Sequence, residues 1–126
     1  MVKIYLLLNS FLYLLLSALC LLKPGISANF LGYSFLNNSG KVEYATIYIG
    51  LEFGFALFLG ISAFYLNMAL AGLIFCVCIY SGAMITRTSF ALYYGNISKV
   101  TYMVGGLEYI LGICGIILLL RELKEF

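Results

Sequence analysis

The stretch EYATIYIGLEFGFALFLG, residues 43–60, decides the fold of this chain. It is apolar throughout and close in length to the roughly 20 residues of helix that cross the hydrocarbon core of a bilayer. Glu52 nevertheless stands well inside the run. A carboxylate at the middle of a bilayer costs about 3 kcal/mol on insertion scales. We therefore predict a membrane helix here, with Glu52 facing the protein interior and finding a partner there.

The composition of the whole chain supports a membrane protein. Of its 126 residues, 64% are hydrophobic and only 10% are charged, and the mean hydropathy is +1.10. Soluble domains have about 25% charged residues, and a soluble domain of this size could not bury so much apolar surface. The chain is therefore predicted to be an integral membrane protein, most simply of the bacterial inner membrane, forming one domain over residues 1–126.

Several functional classes are disfavoured by what the sequence lacks. The formal net charge of +2 is too small to indicate a nucleic-acid partner. There is no His and no Asp, so the commonest metal ligand and general base are missing. We expect no metal site and no cofactor. The cysteines are predicted to be small buried packing residues, since all of them lie in apolar runs: Cys20, Cys76, Cys78 and Cys114.

Hydropathy predicts an all-α bundle of four transmembrane helices with up-down-up-down topology. The predicted spans are residues 4–22, 43–65, 68–86 and 100–120. The first could pass for a signal peptide, but it has no good cleavage site, so we expect a retained helix. Two long aromatic loops, 23–42 and 87–99, should lie on one face, with both termini on the other. The first contains a predicted turn at Asn37-Asn38-Ser39-Gly40, and its apolar residues should lie in the membrane interface or fold back onto the helix ends. Lysine and arginine are too evenly spread between the two faces to orient the bundle.

Glycines mark two further helix faces. Gly50 and Gly54 fall on the side of the second span opposite Glu52, a small-xxx-small surface that allows close approach of another backbone. In the fourth span, Gly105, Gly112 and Gly115 share a face with Glu108. We predict that both sets are helix-packing surfaces, the first within the bundle or between two chains.

The polar residues suggest one intramembrane cluster. Glu52 and Glu108 each lie roughly 12–14 Å along their helices from the same surface, at 1.5 Å per residue. Arg87 ends the third predicted span at that surface, and its planar fork could bind both carboxylates. Tyr48 and Tyr80 project from the same faces. We predict that these five residues form a polar cluster in which the two acids share a proton. The alternative is a cluster that only fixes which helices pair.

Three functions remain open at this point. The first is a small non-enzymatic protein that acts as an accessory or structural subunit of a membrane complex, or as a homo-oligomer. The second is a lipid-binding or proton- or ion-conducting module built on the Glu52–Arg87–Glu108 cluster. Six aromatic loop residues would form its roof: Phe30, Tyr33, Phe35, Phe90, Tyr93 and Tyr94. The third is a membrane enzyme acting on a lipophilic substrate, with one Glu as acid and the other as base. The lack of a nucleophile–base pair and of any metal motif disfavours the third.

A family resemblance adds to this interpretation. The pattern comprises Glu43-x-Ala45-x-x-Tyr48-x-Gly50-x-x-x-Gly54, with Pro24-Gly25 upstream, Arg87 after the third span and Glu108 in the fourth. It resembles an uncharacterised bacterial family of small four-helix membrane proteins, often grouped with DoxX-like proteins. That family usually has Arg-Ala after the first acid and a second Gly beside the first, where this chain has Tyr44-Ala45 and Ile49-Gly50. The resemblance implies a four-helix bundle and no particular activity.

Overall fold

The computed structural model describes residues 1–124, and these residues are all-helical, without strands. The helices are α1 (Val2–Leu22), α2 (Pro24–Leu31), α3 (Asn38–Ala45), a π-helical segment (Thr46–Leu51), α4 (Glu52–Phe64), α5 (Leu66–Tyr94) and α6 (Lys99–Lys124). Since α3, the π-helical segment and α4 are continuous, the described chain has four long apolar helices. The predicted all-α fold with four spans is confirmed.

The apolar residues of these helices mostly face outward. In the most apolar window of each long helix, only 22–28% of the residues are buried within the protein. Large hydrophobic side chains in such numbers would be costly to leave in water, at about 25 cal/mol per Å² of apolar surface. Lipid removes that cost, because its hydrocarbon is as apolar as these side chains. The four candidate spans thus indicate a multi-pass membrane protein.

The second span begins earlier than the sequence predicted. The cluster around Asn37 was expected to be a turn, but Asn37 is the N-cap of α3, and its side chain accepts a hydrogen bond from the Gly40 amide at 2.9 Å. After α3 the helix widens into the π-helical segment Thr46–Leu51. The Ser17 hydroxyl donates to the Ile49 carbonyl in this segment at 2.9 Å. A π-helical turn rotates the next part of the helix about its axis, and Glu52 is the first residue after this one.

The third span is longer than predicted. Residues 87–94 were assigned to a loop, yet α5 runs on to Tyr94 and is 29 residues long. It ends at Gly95, whose φ of 60° few other residues adopt. Phe90 and Tyr94 stack along the helix, with ring centroids 5.9 Å apart. Their helical spacing of four residues was not recognised because they were grouped with the loop aromatics.

Three neighbouring helix pairs build the bundle: α1 packs along α4, α4 along α5, and α5 along α6. Leu6, Leu59 and Leu73, from three different spans, are fully buried at the centre of the core. By contrast α1 and α6 do not pack along each other. They are joined by Tyr5, whose hydroxyl donates to the Leu111 carbonyl at 2.9 Å. The bundle therefore has one incompletely closed side, between α1 and α6.

The segment that follows α1 folds back, which was one of the two arrangements expected from its apolar composition. It forms α2, which contacts both α1 and α6. Gly32 ends this helix with a φ of 88°.

The prediction that all four cysteines are buried holds for two of them. Cys20 and Cys76 are buried, while Cys78 and Cys114 are exposed on the outer surface. Lipid tolerates a thiol there, so an apolar flank in sequence does not distinguish the two locations.

Candidate functional site

A cavity of about 440 Å³ lies between the four spans, on the incompletely closed side of the bundle. Its wall is mostly apolar, but it contains two carboxyl groups, Glu52 and Glu108, and two tyrosines, Tyr13 and Tyr80. All four spans contribute to the lining. We call this space the central cavity.

The rim of the central cavity faces the surroundings of the bundle. Leu15 and Leu19 on α1, and Leu107 on α6, line the cavity and are each about half exposed. Tyr5 joins α1 to α6 beyond one end of this opening, and α2 contacts α6 near the other end of α1. In a bilayer the opening would face lipid rather than water, since the exposed parts of these helices are apolar.

Arg87 and Glu108 form an ion pair between α5 and α6. Arg87 Nε lies 2.6 Å from Glu108 Oε2, and Arg87 Nη2 lies 2.6 Å from Oε1. Both side chains are partly buried, with 31% and 17% of their surface exposed. Gly105, about one turn before Glu108, leaves room for the Arg87 side chain, because a Cβ there would lie only 2.8 Å from Arg87 Cδ. A larger residue at this position would require the Arg87 side chain to shift.

Glu52 stands apart from this pair. It is half-buried at the start of α4 and lines the same cavity as Glu108. Its Oε2 atom is buried and has no hydrogen-bond partner among the described residues. The predicted cluster, with Arg87 bridging two acids, is wrong in this respect: the guanidinium bonds to Glu108, and none of the three charged residues is fully buried in the protein. The unpredicted π-helical segment immediately before Glu52 sets the rotation of that side chain.

The two tyrosines of the predicted cluster bond elsewhere. The Tyr48 hydroxyl is 2.7 Å from that of Tyr33, and its ring stacks on Tyr44 with centroids 4.7 Å apart. The Tyr80 hydroxyl donates to Asn9 Oδ1, although its ring still lines the central cavity. Neither hydroxyl bonds to Glu52, Arg87 or Glu108 among the described residues.

The predicted roof of aromatic loop residues divides into separate groups. Tyr33 and Phe35 pack edge-on against Tyr44. Tyr94 contacts both Phe90 and Tyr93 at the end of α5. Phe30 is an exposed residue of α2. None of these six predicted roof residues lines the central cavity.

The glycines separate into two classes. Gly105, Gly112 and Gly115 are buried, and a Cβ on any of them would meet side chains of neighbouring helices at 2.6–3.0 Å. Gly50 and Gly54 are exposed, with nothing within 4 Å of a built Cβ. The glycines of α6 thus pack within the bundle, whereas those of the second span leave a bare outer surface.

Sequence reasoning missed most of the polar groups that hold α1 in place. Asn9 is fully buried, donates to the Tyr5 carbonyl and accepts from Tyr80. The Ser10 hydroxyl donates to the Ala56 carbonyl at 2.7 Å. The spacing of four residues between Asn9 and Tyr13 places them on one side of α1, and Asn9 lies in the core while Tyr13 lines the cavity. The serines gave no such signal, because a single hydroxyl is compatible with either face of a membrane helix.

The helices indicate a small multi-pass membrane protein, and its cavity opens on one side of the bundle, between α1 and α6. Comparisons of the chain with protein-family models, with curated proteins and with solved structures found no match. The resemblance to DoxX-like proteins therefore stays a prediction.

Proposed function

We propose that this protein is a binding module that holds a small amphipathic ligand in the central cavity, admitted sideways from the bilayer between α1 and α6. One observation carries the proposal: Glu52 Oε2 is buried beside an open cavity and lacks a hydrogen-bond partner among the described residues. A buried acceptor without a partner costs roughly 1–3 kcal/mol. A ligand that donates to Glu52 would remove that cost.

The dimensions of the cavity agree with this function. Its volume of about 440 Å³ falls in the range of ligand sites, roughly 300–1,000 Å³. Such sites are largely apolar with a few polar groups that orient the ligand, and the lining of leucines around Glu52 and Glu108 has this character. Intramembrane ionisable residues commonly mark binding sites or ion paths. A wide apolar space favours a ligand over a chain of ordered waters.

The test uses the full chain purified in a mild detergent and measured by native mass spectrometry. We expect wild type to retain a small lipophile after exposure to a bacterial lipid extract. Glu52→Gln should retain much less of it, with the helical circular dichroism unchanged. The matched control is Glu43→Gln, because Glu43 is an exposed acid on the same span, and it should behave as wild type. A wild-type protein that carries no bound lipophile under these conditions would contradict the proposal.

A second candidate function is association with another transmembrane helix, either of a second copy or of a larger complex. It is supported by the bare surface at Gly50 and Gly54, which the bundle itself leaves uncovered. Small residues four apart allow close backbone approach between membrane helices. In this scheme the protein is an accessory subunit or homo-oligomer of a bacterial inner membrane. An even number of spans puts both termini on one side.

A further inference from the structure

The charges around the central cavity do not balance. Two carboxyl groups, Glu52 and Glu108, line the cavity, and the fork of Arg87, which does not itself line it, engages both oxygens of Glu108. This is the one ion pair within residues 1–124. The remaining basic side chains in this range are exposed and do not line the cavity: Lys3, Lys23, Lys41, Lys99, Arg121 and Lys124. Glu52 is therefore left without a protein cation to neutralise it.

Aromatic rings line the cavity beside Glu52. Tyr13 packs edge-on against Phe55, with centroids 5.6 Å apart, and stacks at 6.4 Å on Tyr80. All three rings contribute to the wall that contains Glu52. The face of an aromatic ring carries partial negative charge and attracts cations, the more so where water is excluded. Glu52 and the three rings therefore all favour a positively charged ligand.

We infer that the ligand of the central cavity is a lipophilic monocation, such as a protonated amine on a compact apolar body, with Glu52 as its counter-ion. This inference rests on the proposed function and names its ligand class. The Arg87–Glu108 pair has a supporting role, because the Arg87 guanidinium bonds to both oxygens of Glu108 and is not available to Glu52. With both acids ionised, Glu52, Glu108 and Arg87 carry a net charge of −1, and a single positive charge on the ligand brings it to zero without a proton on Glu52, which a low-dielectric site favours.

The apolar rim of the opening requires that the uncharged part of the ligand be apolar. The rim residues Leu15, Leu19 and Leu107 are apolar and half exposed, so the ligand must pass them from the lipid phase with its apolar body in contact with leucine. A rigid hydrocarbon cage that bears one amine meets both requirements. Two probes with the same cage, 1-adamantanamine and 1-adamantanol, differ in charge but hardly in volume.

The experiment is isothermal titration calorimetry on the full chain in a maltoside detergent, at matched detergent concentrations so that partition into micelles cancels. We expect wild type to bind the protonated amine about tenfold more tightly than the alcohol, the factor that corresponds to one modest ion pair. In Glu52→Gln this preference should fall to within about threefold, while the alcohol still binds. Glu43→Gln should keep the wild-type preference.

Three results would overturn the inference, and the first two differ in their consequence for the proposed function. Equal affinity of wild type for the amine and the alcohol would reject the cation while leaving a lipophile-binding cavity in place. If neither probe binds and no lipophile is retained in the mass spectrometer, both the inference and the proposed function are wrong. A loss of amine preference in Glu43→Gln equal to that in Glu52→Gln would assign the effect to general charge rather than to the cavity, and would also reject the inference.

Discussion

Arg87 and Glu108 form a two-point ion pair across α5 and α6, with both nitrogen–oxygen distances at 2.6 Å. A bidentate pair fixes orientation as well as distance, so it holds the two helices in one register beside the central cavity. Glu52, on the same cavity, has no ion-pair partner among residues 1–124. The pair thus bears on both the stability of the bundle and the charge of the site.

Glu108→Gln should lower the free energy of unfolding by about 2 kcal/mol, because it leaves a partly buried guanidinium without its counter-ion. The double variant Arg87→Met with Glu108→Leu should recover most of the loss, since no unpaired charge remains. The measurement is unfolding by dodecyl sulfate in mixed micelles, followed by tyrosine fluorescence. If the double variant lost as much unfolding free energy as Arg87→Met and Glu108→Leu lose together when measured singly, this account of the pair would be contradicted.

Gly105→Ala should destabilise the protein by about 1–3 kcal/mol, as overpacking does elsewhere. The added methyl group would lie 2.8 Å from Arg87 Cδ and displace the guanidinium from Glu108. The next residue offers a matched control, because a Cβ on Gly106 meets nothing within 4 Å. Gly106→Ala should be neutral or stabilising, since alanine is favoured over glycine in a helix by up to about 1 kcal/mol. Equal destabilisation by both alanines would contradict a specific contact at Gly105.

The fold was predictable because the physical signal is large and repeated. Each span carries about 20 mostly apolar residues, and no other environment than lipid accommodates four such runs in so short a chain. The ends of the helices were less predictable. Asn37 was assigned to a turn cluster, although asparagine is also one of the preferred N-cap residues, and here it caps α3. The aromatic residues after Arg87 were taken as loop, although they continue α5.

The candidate site was less accessible to sequence reasoning, for a geometric reason. Depth along a helix follows from counting residues at 1.5 Å each, so a common height for Arg87, Glu52 and Glu108 could be proposed. The direction of each side chain depends on helix rotation, and the π-helical segment Thr46–Leu51 changes that rotation just before Glu52. No residue in the segment signals a π-helical turn. The sequence alone therefore could not predict which of the two acids Arg87 bonds to, nor that Tyr80 bonds to Asn9.

Tyr80→Phe should destabilise the bundle by about 1–2 kcal/mol. The substitution removes the donor to Asn9 Oδ1, and Asn9 is fully buried, so its carbonyl oxygen would lose its partner without access to water. Tyr93→Phe is the matched control, because that side chain is 80% exposed. The same dodecyl sulfate titration measures both variants. If Tyr93→Phe cost as much as Tyr80→Phe, the loss would reflect a general effect of the hydroxyl group at the membrane surface rather than the bond between α5 and α1.

Gly54→Leu tests the second candidate function, in which the bare surface at Gly50 and Gly54 contacts another helix. Gly54 is exposed and a Cβ there meets nothing within 4 Å, so a leucine side chain can extend away from the bundle and the unfolding free energy should change by no more than about 0.5 kcal/mol. It would, however, prevent close approach of a second backbone. Energy transfer between donor- and acceptor-labelled chains in lipid bilayers should therefore fall several-fold relative to wild type. Gly82→Leu is the control for added bulk, because Gly82 is also exposed with nothing within 4 Å of a built Cβ but lies on α5. Loss of transfer in both variants would show a non-specific effect of bulk, and unchanged transfer in Gly54→Leu would exclude self-association through this face.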